Sequence, residues 1–514
     1  MDCKSARKLK KYIKKACTSR CDVYRVPTGQ VDFDNFAISF GGKLRRDNRW
    51  VILADIIPWD EFEKRYATQF KSKTGNPALP VRVALGSLIV KEKMKFSDED
   101  TVQAIQESHY LQYFIGYEVY KDEKPFDASL MVHFRKRLGA KILAEVNELV
   151  LAKTAKATEE KEPKDPPSTG ASTGNKGQLI VDATCAPQDI RFPNDVGLLN
   201  EAREKTDRII DVLIAASPEG TARPRTYRKV ARIEFLNFIR RRRNTEKTVR
   251  RALKAQLQYL SRNLRYIKDL VGSVGVTVLS RKQYRDLLVI SEVYRQQNEL
   301  YTTNQHSMSG RIISIAQPHV RAIARGKARA AFEFGAKVSL SVVDGYCRVD
   351  HLSWDPYNES TDLKTQIEAY RQRTGYYPES VHADKIYRTR ENLAFCKERG
   401  IRITGPKLGR PYKETEENKE LLRELRKQER VDEGIRSTVE GKFGVAKRRH
   451  TLNLIRAKLR TTSETSIMLV FFMMNLERML KEKLRLLFIY LFGLLLKLLS
   501  NLPISGSNCA LYAP

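Results

Sequence analysis

Residues 154–177, TAKATEEKEPKDPPSTGASTGNKG, divide the chain. Pro163, Pro166 and Pro167 stand there among Ser, Thr, Gly and charged residues. No apolar periodicity runs through such a stretch, so it reads as a solvated linker, placed at 152–178 with its margins. A chain of 514 residues with this interruption must build a core on each side of it.

The two sides differ in pattern. Before the break, Val81 to Lys93, Asp98 to Gly116 and Ala128 to Leu149 carry apolar residues at helical spacing, which predicts an all-α domain over 1–151. After it, QLIVDAT reads as an apolar strand ending at Asp182. Long helices follow over 198–310, with Val249, Leu253, Leu257, Leu260, Leu264 and Ile267 at three- and four-residue steps. A second helix, Arg281 to Tyr301, follows the Gly272–Gly275 turn, so the two form a helical hairpin. From Lys337 the period changes again. Val338 to Val343 and Cys347 to Leu352 flank Asp344-Gly345, a hairpin signal. Helix Leu363 to Arg373, strand Ser380 to Ala383, helix Arg390 to Arg399, strand Ile401 to Thr404 and a charged helix from Glu414 to Arg449 complete an α/β domain over 179–480.

Charge narrows the partners. The excess of Lys and Arg over Asp and Glu is +32, which needs an anion to compensate it. Between Ala222 and Lys254 stand 13 basic and 2 acidic residues, including Arg240, Arg241, Arg242 and Arg243. A solvated helix face is the plain alternative, but single-sign charge of that density repels itself, so nucleic acid contact is expected. Seven scattered cysteines without CxxC spacing point to a reducing cytoplasm and away from structural zinc. Eight basic residues between Lys4 and Arg20 precede no apolar segment, so no secretory signal is expected. Leu486 to Leu496 is apolar but half the length of a bilayer span of about 20 residues. A buried or partner-docking terminal helix is expected over 481–514, and a membrane anchor is disfavoured.

Carboxylates are the candidate chemistry. Metal-assisted phosphodiester chemistry wants hard oxygen ligands fixed at the ends of adjacent strands. LIVDA ends in that way near Asp182, and SVHAD at Asp384. Taken singly, each is equally well a strand-end turn or helix cap. Asp344 and Asp350 are similar in kind, and Asp344 is explained by its turn. A third acid comes from IRSTVEGKFGVAKRRH. At about 100° per residue, Arg436 and Lys447 flank Glu440 on one helical face, with Glu433 on the same face as a rival. Ile435, Val439, Phe443 and Ala446 form the buried stripe. Surface pairing at i, i+4 accounts for such a face as readily as a metal-ligand Glu with two phosphate-holding bases.

With these segments in view, the chain resembles the bacterial insertion-sequence DDE transposases, in particular the type classed as insertion-sequence family five. The resemblance rests on PALPVRVALGSLIVKEKMKFSDEDTVQAIQES, FEFGAKVSLSVVDGY, HADKIYRTRENLAFCKERGIRITGPKLGRP and RSTVEGKFGVAKRRHTLNLIRAKL. The last fits the spacing R-x3-E-x6-K through Arg436, Glu440 and Lys447. Relatives with the longer signature carry a Tyr where this chain has Glu433. The resemblance implies an RNase H-like core with a large helical insertion, and Asp182, Asp384 and Glu440 as its acids. It implies two Mg²⁺ ions, or Mn²⁺, on those acids, and Arg436 and Lys447 on phosphates. Lys407 and Arg410, in the basic loop Gly405 to Arg410, are further phosphate candidates. The expected partner is double-stranded DNA, at element ends and target, bound by a homodimer or larger assembly in the cytoplasm on the nucleoid. The expected reaction is cleavage at element ends followed by strand transfer. Two other readings stay open here: a catalytically silent DNA-binding derivative, and a nuclease that cuts without joining.

Overall fold

The structure is a computed structural model, and it describes residues 42–70, 77–159, 174–327, 330–405, 409, 415 and 418–500. It is mixed α/β and divides into two units. One gathers the described residues within Met1–Thr169, Gly345–Arg348 and Met468–Pro514. The other gathers those within Gly170–Asp344 and Val349–Ile467.

The first unit is helical. Helices α1 (Arg49–Ile56), α2 (Trp59–Ala67), α3 (Val81–Met94), α4 (Asp98–Glu107), α5 (His109–Phe114) and α6 (Leu130–Glu159) run in order. The predicted Asp98-to-Gly116 helix is two, because Ser108 interrupts it. Its extended backbone ends α4, and its hydroxyl accepts the Leu111 N–H to start α5. Helix α3 is buried nearly all round, so its start needs an internal cap. Glu63 of α2 supplies it, its carboxylate accepting the Val81 N–H at 3.3 Å. Burial pushes that carboxyl up to about 7. One residue on, buried Arg82 donates to the carbonyls of Phe114 and Tyr113 at 3.0 and 2.9 Å, closing the C-terminus of α5.

Helix α6 continues to Glu159, so the first residues of the expected linker are helical. Helix α14 (Arg460–Ser500) is continuous and contributes Met468 onward to this unit, where the sequence placed the boundary after residue 480. Asn475 of α14 explains the attachment of the short Gly345–Arg348 segment. Its side chain accepts the Cys347 N–H at 2.8 Å and donates to the Cys347 carbonyl at 2.7 Å and to Asn147 of α6 at 2.8 Å. Between Leu484 and Phe492 the same helix is exposed, with Phe488 71% and Tyr490 65% accessible, so of the buried or partner-docking helix expected this stretch is not buried. Among the described residues no helix is long and apolar enough to cross a membrane.

The second unit is a six-stranded sheet with helices around it. Strands β1 (Gln178–Pro187), β2 (Arg321–Lys327), β3 (Ala330–Val343), β4 (Tyr346–Ser353), β5 (Ser380–His382) and β6 (Arg402–Ile403) order as β2-β3-β1-β5-β6, with β4 also on β3. Strands β1 and β3 are antiparallel, whereas β1, β5 and β6 are parallel. The Asp344-Gly345 turn joins β3 to β4 with positive φ at both residues, as a tight hairpin demands. Gly335 lies against the Ala186 carbonyl of β1, where a side chain would collide.

Strand β1 does not end at Asp182. It stays paired with β3 as far as Pro187 and Gly335, five residues later. The expected strand was cut short because Thr184 to Pro187 offers no clean apolar alternation. Helices α11 (Leu363–Thr374) and α12 (Arg390–Glu398) cover the β5 region, and α13 (Lys419–Arg449) packs on β1 and β5. Between β1 and β2 the chain leaves the sheet for four helices: α7 (Asp195–Ala215), α8 (Arg228–Ile239), α9 (Glu246–Val274) and α10 (Arg281–Thr303). Leu257, Leu260 and Ile267 of α9 are buried, as their spacing predicts.

Candidate active site

Strand register brings two acids together. Strand β1 pairs with β5 in parallel from Gln178 and Ser380 to Ile180 and His382. Asp182 and Asp384 each lie two residues past that last pair. Side chains alternate along a strand, so an equal offset on neighbouring parallel strands puts both on one side of the sheet. The electrostatics agree. Asp182 is pushed up to about 6, first by burial and then by the negative charges of Glu359 and Asp384. Its Oδ1 accepts the Ala183 N–H at 2.8 Å, and Asp384 caps the following 3-10 turn by accepting the Lys385 N–H at 2.6 Å.

Helix α13 carries Glu440, the third acid expected from the sequence. Val439, Phe443 and Ala446 are buried and seat it on the sheet. Arg436, 17% exposed, donates to Glu440 at 3.2 Å and to both oxygens of Glu433 at 3.1 and 2.6 Å. The guanidinium is held charged well above its ordinary value by Glu433 first, with Glu440 and Asp384 adding to the effect. It thus links the α13 acids to the strand acids. Glu440 itself is 58% exposed in this pose. Lys447 lies two turns on, half-buried. Lys407 and Arg410 lie outside the described residues. Arg240 to Arg243 are exposed at the end of α8.

Three features were not foreseen. Glu359, in a 3-10 turn over Glu359–Asp362, joins the acids and is neutralised by Lys337 at 2.7 Å. Tyr387 is fully buried beside Asp182 and Glu359, and its hydroxyl has no partner among the described residues. Asp432 of α13 takes a two-point contact from Arg402 of β6 at 2.7 and 3.0 Å, tying the helix to the sheet edge. Only the Asp432 clamp had a sequence signal, a lone acid on the buried side of α13. Glu359 sits in an irregular segment without periodicity.

The donor set is compatible with divalent metal. Its groups are hard oxygens, and Asp182 is raised by burial first and then by the charges of Glu359 and Asp384. The carboxylates are not closed into a cage in this pose: among the described residues no three His, Cys, Asp or Glu are arranged to hold an ion. Glu440 is engaged by Arg436 at 3.2 Å.

Residues 381–477, which include Asp384 and Glu440, match the family described as "Transposase DDE domain". Residues 39–137 match "Transposase domain (DUF772)". The chain belongs to the insertion-sequence transposases. A similar protein of Rhizobium meliloti, "Uncharacterized protein ORF8 in nfe locus", is 33% identical over 153 residues, 30% of this chain and 68% of that protein. No solved structure matches the chain. DDE transposases act on DNA and generally use divalent metals; Asp384 and Glu440 lie within the matched segment of this transposase, and Asp182 and Glu359 precede it.

Proposed function

We propose that this transposase cleaves phosphodiesters at the ends of its element and transfers the freed strand, with Asp182, Asp384 and Glu440 as the acids of an RNase H-like core. The observation that carries the reading is the shared offset of Asp182 and Asp384 from the Ile180–His382 pair. The sheet order supports it as well: three antiparallel strands, β4, β3 and β1, continued by the parallel β5 and β6, with α13 laid across the join. The family-five assignment is supported by the Arg436, Glu440 and Lys447 spacing.

Divalent ions bound by these three acids would activate the attacking oxygen and stabilise the leaving one. The chain's own groups do the rest. Arg436, released from Glu440 when that acid turns inward, holds a phosphate oxygen next to the strand acids. Lys447 adds a second cation on the same helical face. Glu359, neutralised by Lys337, shapes the field without a ligand role. Cleavage and strand transfer are the same phosphoryl transfer with different nucleophiles, so one site serves both. Pairing of two element ends calls for at least a dimer.

The test is to incubate the purified protein with Mg²⁺ and the DNA flanking its own gene, and to map nicks and joined products. Breaks at fixed positions on both flanks with new joints are expected. Intact DNA under all divalent-ion conditions would overturn the reading.

A further inference from the structure

The helical insertion carries a surface that the catalytic reading leaves unused. Helix α8 is held at its base and open on its far side. Arg228 staples its N-terminus, donating to both oxygens of Asp211 on α7 at 2.8 and 2.7 Å and to the Asp207 carbonyl at 2.7 Å. Ala231 and Phe235 are its buried residues. At about 100° per residue, Lys229, Arg240, Ile233, Asn237 and Val230 fall within an arc of about 100°, opposite that buried pair. All five are exposed; Val230 is 48% and Ile233 58% accessible.

Charge says what belongs there. Lys229, Arg232 and Arg240 to Arg243 are exposed, and none has an acidic partner among the described residues. The neighbouring acid, Glu234, already accepts from Tyr259 at 3.1 Å. Unpaired cations at both ends of a helix fit two phosphate tracks. Two aliphatic side chains and a free amide between them fit what lies between those tracks, thymine methyls and adenine edges in a major groove.

We infer that α8 reads base edges of duplex DNA, with Ile233, Val230 and Asn237 in the major groove and Lys229, Arg232 and Arg240 to Arg243 on its phosphates. This rests on the transposase reading for the identity of the partner, but not on the catalytic acids. The helix would therefore supply end recognition from within the insertion, separately from the DUF772-matching helices.

Binding in EDTA separates the two claims, because no cleavage is needed. Fluorescence anisotropy of the full chain is measured on a duplex taken from the DNA flanking its own gene and on a shuffled duplex of equal length. A tenfold or greater preference for the flank duplex is expected in the unaltered protein. The Ile233→Ala/Asn237→Ala protein should lose most of that preference while holding the shuffled duplex as before. The Arg240→Ala/Arg242→Ala protein should weaken on both duplexes alike and show a salt slope lower by about 0.9 per lost phosphate contact. These side chains are exposed, and circular dichroism confirms that the variants fold. Preference unchanged in the Ile233/Asn237 variant overturns the inference, as does an unaltered protein that binds both duplexes equally. Binding to phosphatidylserine vesicles that depends on Ile233, with duplex preference intact, overturns it in favour of a membrane surface. Failure to bind any duplex sinks the DNA reading itself.

Discussion

Asp182 on β1 and Asp384 just past the end of β5 each lie two residues beyond the register pair of Ile180 with His382. The acids are 202 positions apart in sequence, yet one backbone ladder aligns them. The cost is visible in Asp182, pushed up to about 6 by burial and by Glu359 and Asp384. A raised carboxyl favours the protonated fold. Its stabilising effect is full below an ordinary value of 3.8 and is lost as pH rises through about 6. Asp182→Asn should therefore stabilise the metal-free protein at pH 8 by on the order of 1–2 kcal/mol and leave it unchanged near pH 4. Thermal melts at the two pH values check this; equal melts at pH 8 contradict it.

Glu63 makes the same kind of statement in the helical unit. Its carboxyl, pushed up from an ordinary 4.5 to about 7 by burial, caps α3 through Val81. The unit should lose stability as pH climbs from about 4.5 to 7. Glu63→Gln should flatten that slope, with a gain on the order of 1–3 kcal/mol at pH 8. In a Trp354→Phe background, the emission of Trp50 and Trp59 follows the melting of this unit alone.

Asn475 is buried and satisfies both polar groups of the Cys347 peptide. Asn475→Ala removes the acceptor of the Cys347 N–H and leaves the Cys347 carbonyl with the longer Asn147 contact at 3.3 Å. A loss of about 1–3 kcal/mol is expected, read as a lower denaturant midpoint. Asn475→Asp should cost at least as much, because a carboxylate cannot donate to the Cys347 carbonyl.

Much of this was legible from spacing, and what was not has physical reasons. Helix α9 announced itself through Leu257, Leu260 and Ile267, because a long amphipathic helix repeats its signal over many turns. Asp344-Gly345 announced its hairpin because few residue pairs accept positive φ twice. Strand β2 gave no expectation, since RAIARGK carries two Arg and a Lys among few apolar residues. Asp182 was read as a strand end, although β1 runs on to Pro187. Pairing with β3, remote in sequence, decides the length of β1. The acids Asp384 and Glu440 were legible as types in a pattern. The approach of Asp384 to Asp182 was not, because register is a tertiary property. Glu359 and Tyr387 had no local signature at all.

Asp432 shows how α13 is kept in place. It is buried and fixed by Arg402 at two points, two turns ahead of Glu440. Arg402→Ala should leave that carboxylate without its cationic partner, with Gln428 still donating to it at 3.2 Å, and loosen the helix. The expected result is cleavage reduced at least tenfold, with DNA affinity within about twofold. Stopped-time cleavage and anisotropy on the same preparation separate the two.

Ligand softness tests the acids most directly. Thiolate binds Mg²⁺ poorly and softer divalent ions better. Single-turnover cleavage of flank DNA is measured for the unaltered protein, Asp182→Cys, Asp384→Cys and Glu440→Cys, each in Mg²⁺ and in Mn²⁺. The account predicts three proteins that bind DNA, fail to cut in Mg²⁺ and recover part of their rate in Mn²⁺. Undiminished cutting in Mg²⁺ by any of the three would contradict the assignment of that acid, and by all three the whole site.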